Sequence, residues 1–219
     1  MNQARKTIAA LKARELLKDL NILEPDEIKV DLIAAYKNAP VRYEPLKGMD
    51  GRIVREGDAA IITVNSAITY EGQKRFVIAH ELGHFFLHPK TRQLESVNQE
   101  QTTNWSDRQE IEEYEANLFA AELLMPSEML GQMIKGQEPS FDLIDSLQKD
   151  FRTTLTATAV QFVLNTKEEC AIVAASGRQR LWFILSPGFS FFMQADTYIH
   201  GLSCAAEVGP NKRAARSSK

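Results

Sequence analysis

A short segment of the chain carries three side chains whose types and spacing suit them to bind and use a metal ion. Residues 80–84 read His-Glu-Leu-Gly-His, the pattern H-E-x-x-H. Because residues four apart lie one above the other on a helix face, His80 and His84 can reach one ion, at the Zn–N distance of about 2.0–2.1 Å. Glu81 lies one step round the helix, where it can accept a proton from water. The segment therefore predicts a metal-dependent hydrolase with Glu81 as its general base.

The residues around this pattern argue against two ordinary helix histidines. A helix is predicted over residues 73–87, and most of its side chains near the pattern are apolar: Phe76, Val77, Ile78, Ala79, Leu82, Phe85 and Phe86. Such a helix is expected to be buried nearly all round. Two imidazoles and a carboxylate are costly in those surroundings unless something compensates them. A bound cation compensates all three, so the metal site is the preferred interpretation.

A third protein ligand is expected on the next predicted helix, over 109–124, because a catalytic zinc site uses three protein ligands and keeps one position open. Glu113 and Asn117 are four residues apart and share a face, so Glu113 can bind the ion while the Asn117 amide orients a ligand histidine. Glu115 is the alternative ligand; it lies about 200° round the helix from Glu113, so the two cannot both face the ion. Two His and a carboxylate favour Zn²⁺ but also accept other divalent ions, such as Mn²⁺.

The composition is typical of a globular protein and disfavours several other classes. The chain has 219 residues, of which 44% are apolar and 25% charged, enough for one domain with a sizeable core. A net charge of -3 provides no basic field for nucleic acid, so no direct nucleic acid binding is expected. Cys170 and Cys204 have no paired spacing and are expected to be reduced thiols. No run is apolar enough for a signal peptide or a membrane span, so we expect a cytoplasmic protein without a membrane partner.

Periodicity and turn chemistry predict the elements that must position the site. Helices are predicted over 3–20, from Pro25, over 140–150 and over 156–165, in addition to the two above. Three short strands within 41–65 predict a small antiparallel sheet, and residues 88–108 a long polar loop. The strand at 62–65 is expected to be either an edge that pairs with substrate or an ordinary internal strand. ECAIVAA and RLWFILS flank a turn and predict a C-terminal β-hairpin.

Four segments carry a resemblance to a known family: DGRI at 50–53, ITVN at 62–65, RFVIAHELGHFFLH at 75–88 and EANLFAAELLMP at 115–126. In these segments the chain resembles the ImmA/IrrE family of intracellular metallo-endopeptidases. The resemblance implies an α+β, zincin-like fold of the gluzincin type, with a small sheet laid against the H-E-x-x-H helix. It also implies that the third ligand is the Glu four residues before the Asn of the EAN motif, which is Glu113.

The resemblance also implies a function. Members of the family are implicated in cutting helix-turn-helix repressors, which releases stress or mobile-element genes. We therefore expect a zinc-dependent endopeptidase over residues 1–166, a β-hairpin extension over 167–208 and a disordered basic tail over 209–219. Its expected partner is a helix-turn-helix repressor encoded nearby. The alternative is a regulatory protein that counteracts a repressor or antitoxin by binding alone, although such a protein has no use for Glu81.

Overall fold

A computed structural model of the chain describes residues 3–88, 102–177 and 179–190. These residues divide into two compact units. The first ends at Pro126 and also includes Phe151–Thr153, and the second comprises Ser127–Asp150 and the residues from Thr154 onward. The boundaries at residues 166 and 208 stay predictions, and the basic tail at 209–219 lies outside the described residues.

The first unit begins with a long helix, α1 (Gln3–Asp19), and continues through a short 3-10 turn (Pro25–Glu27) to α2 (Val30–Tyr36). Pro25 stands at the start of the turn, where a residue without an N–H is tolerated. The continuous helix predicted from Pro25 is therefore wrong, because the 3-10 turn ends at Glu27 and α2 begins separately at Val30.

The sheet of the first unit contains β1 (Val41–Glu44), β2 (Gly51–Glu56) and β3 (Ala59–Asn65), in the order β1-β3-β2. β2 pairs with β3 in antiparallel fashion, but β1 pairs with β3 in parallel. The fold is thus α+β as predicted, whereas the prediction of a purely antiparallel sheet is wrong. The sheet is mixed, with β3 in its centre.

Asn65 holds the connection that makes the sheet mixed. Its Nδ2 donates hydrogen bonds to the carbonyl oxygens of Leu46 and Met49, each at 2.9 Å. Its Oδ1 accepts one from the backbone N–H of Leu46 at 3.3 Å. These bonds fix the β1–β2 connection at the end of β3, so that β1 and β2 lie on opposite sides of it. Residues 62–65 belong to the central strand, so of the two alternatives the internal strand is confirmed and the free edge is wrong.

Two long helices complete the first unit: α3 (Glu71–Leu87) and α4 (Thr102–Leu124). Since α4 begins at Thr102, the loop predicted over 88–108 is wrong for residues 102–108, and residues 89–101 lie outside the described residues. The core is formed by apolar side chains from the sheet and both helices, among them Ile62, Val64, Ile78, Leu82, Phe119 and Leu123. No helix in the described ranges is both long and apolar enough to cross a membrane.

The second unit contains α5 (Ser127–Met133), α6 (Phe141–Phe151) without its last residue, α7 (Leu155–Asn165), β4 (Ala171–Ser176) and β5 (Gln179–Leu185). Ser140 and Thr154 act as caps, since they accept hydrogen bonds from the first turns of α6 and α7, at 3.2 and 3.1 Å. β4 and β5 pair in antiparallel fashion in the segment where the sequence predicts a hairpin.

Candidate metal centre

The site lies beside a close approach of α3 and α4, at Gly83. A Cβ atom built on Gly83 would lie 2.9 Å from the Cα and 3.1 Å from the backbone oxygen of Ala116, which is fully buried. Any side chain at position 83 would therefore push α4 away. Because Glu113 precedes Ala116 by about one helical turn, this close approach brings its carboxylate up to the histidines of α3.

The three predicted ligands converge. The Nε2 atom of His80 lies 3.1 Å from Oε2 of Glu113, and that of His84 lies 3.4 Å from Oε1. The two Nε2 atoms are 3.0 Å apart. One donor atom from each residue can be chosen so that all lie within 4.8 Å of one another. The His84 side chain is only 6% exposed, whereas that of Glu113 is 38% exposed, so the cluster opens towards solvent on the α4 side.

The hydrogen bond on the outer ring nitrogen of His80 leaves its inner nitrogen available to a cation. Nδ1 of His80 lies 2.9 Å from Oδ1 of Asn117, an oxygen that can only accept, so the ring proton belongs on Nδ1. The Nε2 lone pair of His80 is then directed at the cluster. This is the contact that the sequence analysis predicts for Asn117. Lone pairs and a carboxylate crowded together repel one another unless a cation lies between them.

Glu115 lies on a different side of α4 and contacts another residue. Its Oε2 is 2.9 Å from Nε2 of His88, as expected from its angular separation from Glu113. His88 follows α3 directly, and its Nδ1 lies 3.2 Å from Nδ1 of His84. The sequence analysis does not include His88 in the site. The signal that could have found this contact is the spacing of four from His84, which places both rings on one face.

Glu81 is buried beside the start of β2, with an exposed fraction of 4%. A Cβ built on Gly51, the first residue of β2, would overlap Cγ1 of Val77 and lie 3.3 Å from Oε1 of Glu81. Glycine at this position therefore lets the strand lie directly against the carboxylate. The glycine of the segment DGRI is therefore explained by the structure, since it leaves room for Val77 and for the predicted general base.

Two curated proteins to which this chain is similar are, by name, a metallopeptidase and a metalloprotease. Over 77 residues, 35% of this chain and 41% of the relative, it is 34% identical to metallopeptidase ImmA of Bacillus subtilis. Over 176 residues, 78% of this chain and 51% of the relative, it is 26% identical to the radiation response metalloprotease IrrE of Deinococcus radiodurans. The chain thus spans about half the length, or less, of these curated relatives.

The family is shown by a match to residues 34–162, which corresponds to the IrrE N-terminal-like domain of the Peptidase M78 family. The match covers more than half of the chain and includes the sheet, α3 and α4. The chain belongs to this family, which confirms the resemblance. A solved structure of a Mycobacterium tuberculosis transcriptional regulator is similar over 72% of this chain and 46% of its own, with a TM-score of 0.47 and 16% identity. That likeness is too distant to bear on function.

Proposed function

We propose that this chain is a zinc-dependent endopeptidase in which His80, His84 and Glu113 hold the ion. The observation that supports this most directly is the convergence of one donor atom from each of the three residues. Two imidazoles and a carboxylate form a familiar donor set for catalytic zinc, and Mn²⁺ is a possible substitute. When bound, the ion polarises the scissile carbonyl and acidifies the attacking water.

Glu81 is the proposed general base. It follows His80 directly in α3, so it lies beside the helix face that His80 and His84 share but not on that face. It takes the proton of the attacking water and then passes it to the leaving amine. Burial beside Gly51 keeps this carboxylate away from bulk solvent. In bulk solvent it would exchange protons with any water molecule rather than with the attacking one. Asn117 acts on the reaction indirectly by holding the ring of His80.

The substrate backbone is proposed to pair with β2. Like β1, β2 is an edge strand of the three-stranded sheet and has a neighbour on one side only. It begins at Gly51, beside the general base. An extended peptide added to such an edge gains main-chain hydrogen bonds, while its alternate side chains provide specificity. Arg52, Val54 and Glu56 alternate along the strand as exposed residues, and they are the side chains that a bound peptide would meet.

The proposed substrate is a helix-turn-helix transcriptional repressor in the cytoplasm, and its cleavage would release stress or mobile-element genes. Support comes from the family resemblance and from the relative of D. radiodurans, whose name links it to the radiation response. The other possibility is a protein that counteracts its repressor by binding alone. The two differ in one respect, namely whether Glu81 is required.

The test is co-expression with a candidate repressor encoded nearby, with Glu81→Gln compared against wild type. Glu128→Gln is the matched control, because Glu128 is exposed in α5. Loss of a general base lowers a rate by about 10²- to 10⁴-fold, so Glu81→Gln should bind zinc, stay folded and leave the repressor intact. If Glu81→Gln relieves repression as fully as wild type and Glu128→Gln, the protein acts by binding and the enzymatic proposal fails.

A further inference from the structure

A row of polar side chains extends from the proposed metal ligands away from the ion. Nδ1 of His84 lies 3.2 Å from Nδ1 of His88, and Nε2 of His88 lies 2.9 Å from Oε2 of Glu115. The row is shielded, since the side chains of His88 and Glu115 are 6% and 14% exposed. A carboxylate in such a place is costly unless it accepts strong hydrogen bonds.

The hydrogen-bonding capacity of each group gives this row one direction. Nε2 of His84 faces Glu113 and Nε2 of His80, so it must keep its lone pair for an ion. The proton of the neutral ring is then on Nδ1, which donates to Nδ1 of His88. The proton of His88 is therefore on Nε2, which donates to Glu115. The ion cluster thus sets the tautomer of His84, and His84 in turn sets the tautomer of His88.

We propose that His88 and Glu115 are positioning residues that orient His84 towards the metal and set the affinity of the site. The inference rests on the proposed metal site and goes beyond it. A carboxylate that accepts a hydrogen bond from the outer nitrogen of a ligand histidine fixes the ring and raises its basicity. Here the carboxylate acts through an intervening imidazole, whereas the other ligand histidine, His80, is held directly by the neutral amide of Asn117.

The prediction that separates this role from simple packing is a coupling between the two residues. Glu115 acts on the ion only through His88, so its removal should have no further effect once His88 is gone. His88→Ala and Glu115→Ala should each weaken Zn²⁺ binding by about 10- to 100-fold. The double variant should be no weaker than His88→Ala. His88→Asn keeps an oxygen that accepts from Nδ1 of His84, and should restore part of the affinity.

The experiment is a competition titration of the full-length chain with Zn²⁺ and a chromophoric chelator. Glu110→Gln is the matched control, because Glu110 is an exposed glutamate on the same helix and should leave affinity unchanged. The absorption spectrum of Co²⁺-loaded protein gives a second readout, since the His88→Ala spectrum should differ from that of wild type as the ligand ring reorients. Thermal unfolding of the metal-free variants shows which of them are folded. If His88→Ala does not fold, His88→Asn and Glu115→Ala are compared with wild type instead.

The outcomes are distinct. If wild type binds no Zn²⁺, the proposed function fails, and this inference with it. If wild type binds Zn²⁺ but the His88 and Glu115 variants bind it as tightly as Glu110→Gln, only this inference is overturned. Losses that simply add in the double variant would overturn it as well, because they would show two independent effects.

Discussion

Replacing Gly83 by alanine should disturb the site without touching any proposed ligand. The new Cβ would lie 2.9 Å from Cα and 3.1 Å from the backbone oxygen of Ala116. Carbon atoms in contact prefer separations of about 3.5–4.0 Å, so α3 and α4 must separate by about 0.5–1 Å. Neighbouring backbone cannot move aside as a flexible side chain does. The strain should therefore spread along α4 to Glu113.

The magnitude follows from two opposing effects. Overpacking of this kind costs about 1–3 kcal/mol, while alanine is favoured over glycine inside a helix by about 1 kcal/mol. The free energy of unfolding of the metal-free protein should therefore fall by up to about 2 kcal/mol. Ligand distances in metal sites tolerate only about 0.2 Å, so Zn²⁺ binding should weaken by at least about tenfold.

The assays are urea unfolding of the metal-free protein and chelator competition for Zn²⁺, with Gly131→Ala as the matched control. Gly131 is also a helical glycine, but a Cβ there would meet nothing within 4 Å. Its substitution should stabilise by about 0.5–1 kcal/mol and leave Zn²⁺ affinity unchanged. Adding Ala116→Gly should not rescue Gly83→Ala, because the closest clashes are with backbone atoms. A Gly83→Ala protein as stable as Gly131→Ala, with wild-type affinity, would refute the reasoning.

Other predictions concern the ligand set, a helix cap and a thiol. Glu113→Ala should lose the single bound zinc in metal analysis, whereas Glu115→Ala should still fill at saturating Zn²⁺; the reverse result would show that the ligand assignment is wrong. Chelation should lower the melting temperature of wild type, because an ion present at 1,000 times its Kd stabilises by about 4.1 kcal/mol; an unchanged melting temperature would contradict a bound ion. Thr154→Ala removes the cap of α7 and should lower the free energy of unfolding in urea by about 1 kcal/mol. Burial raises the pKa of the Cys170 thiol, an effect that a hydrogen bond with Ser186 partly offsets. In a Cys204→Ser background its alkylation rate should therefore rise with pH around a midpoint above the free-thiol value of about 8.5; a midpoint below that value would contradict the burial.

Much of the proposed site could be predicted from the sequence, because its parts are related by the geometry of single helices. The spacing of His80 and His84 places both rings on one face whatever surrounds the helix. The same periodicity separates Glu113 from Glu115 on α4 and pairs Glu113 with Asn117. These relations depend on local backbone geometry alone, and the structure agrees with each of them.

What the sequence could not predict depends on contacts between distant segments. Local strand patterns are the same in parallel and antiparallel pairs of this length. The parallel pairing of β1 with β3 instead accompanies hydrogen bonds from Asn65 to residues 16 and 19 positions before it. The contact between His88 and Glu115 joins residues that are 27 positions apart. Helical periodicity shows which residues share a face, but not which face of another helix lies opposite. That was decided by tertiary packing, through the close approach that Gly83 and Ala116 allow.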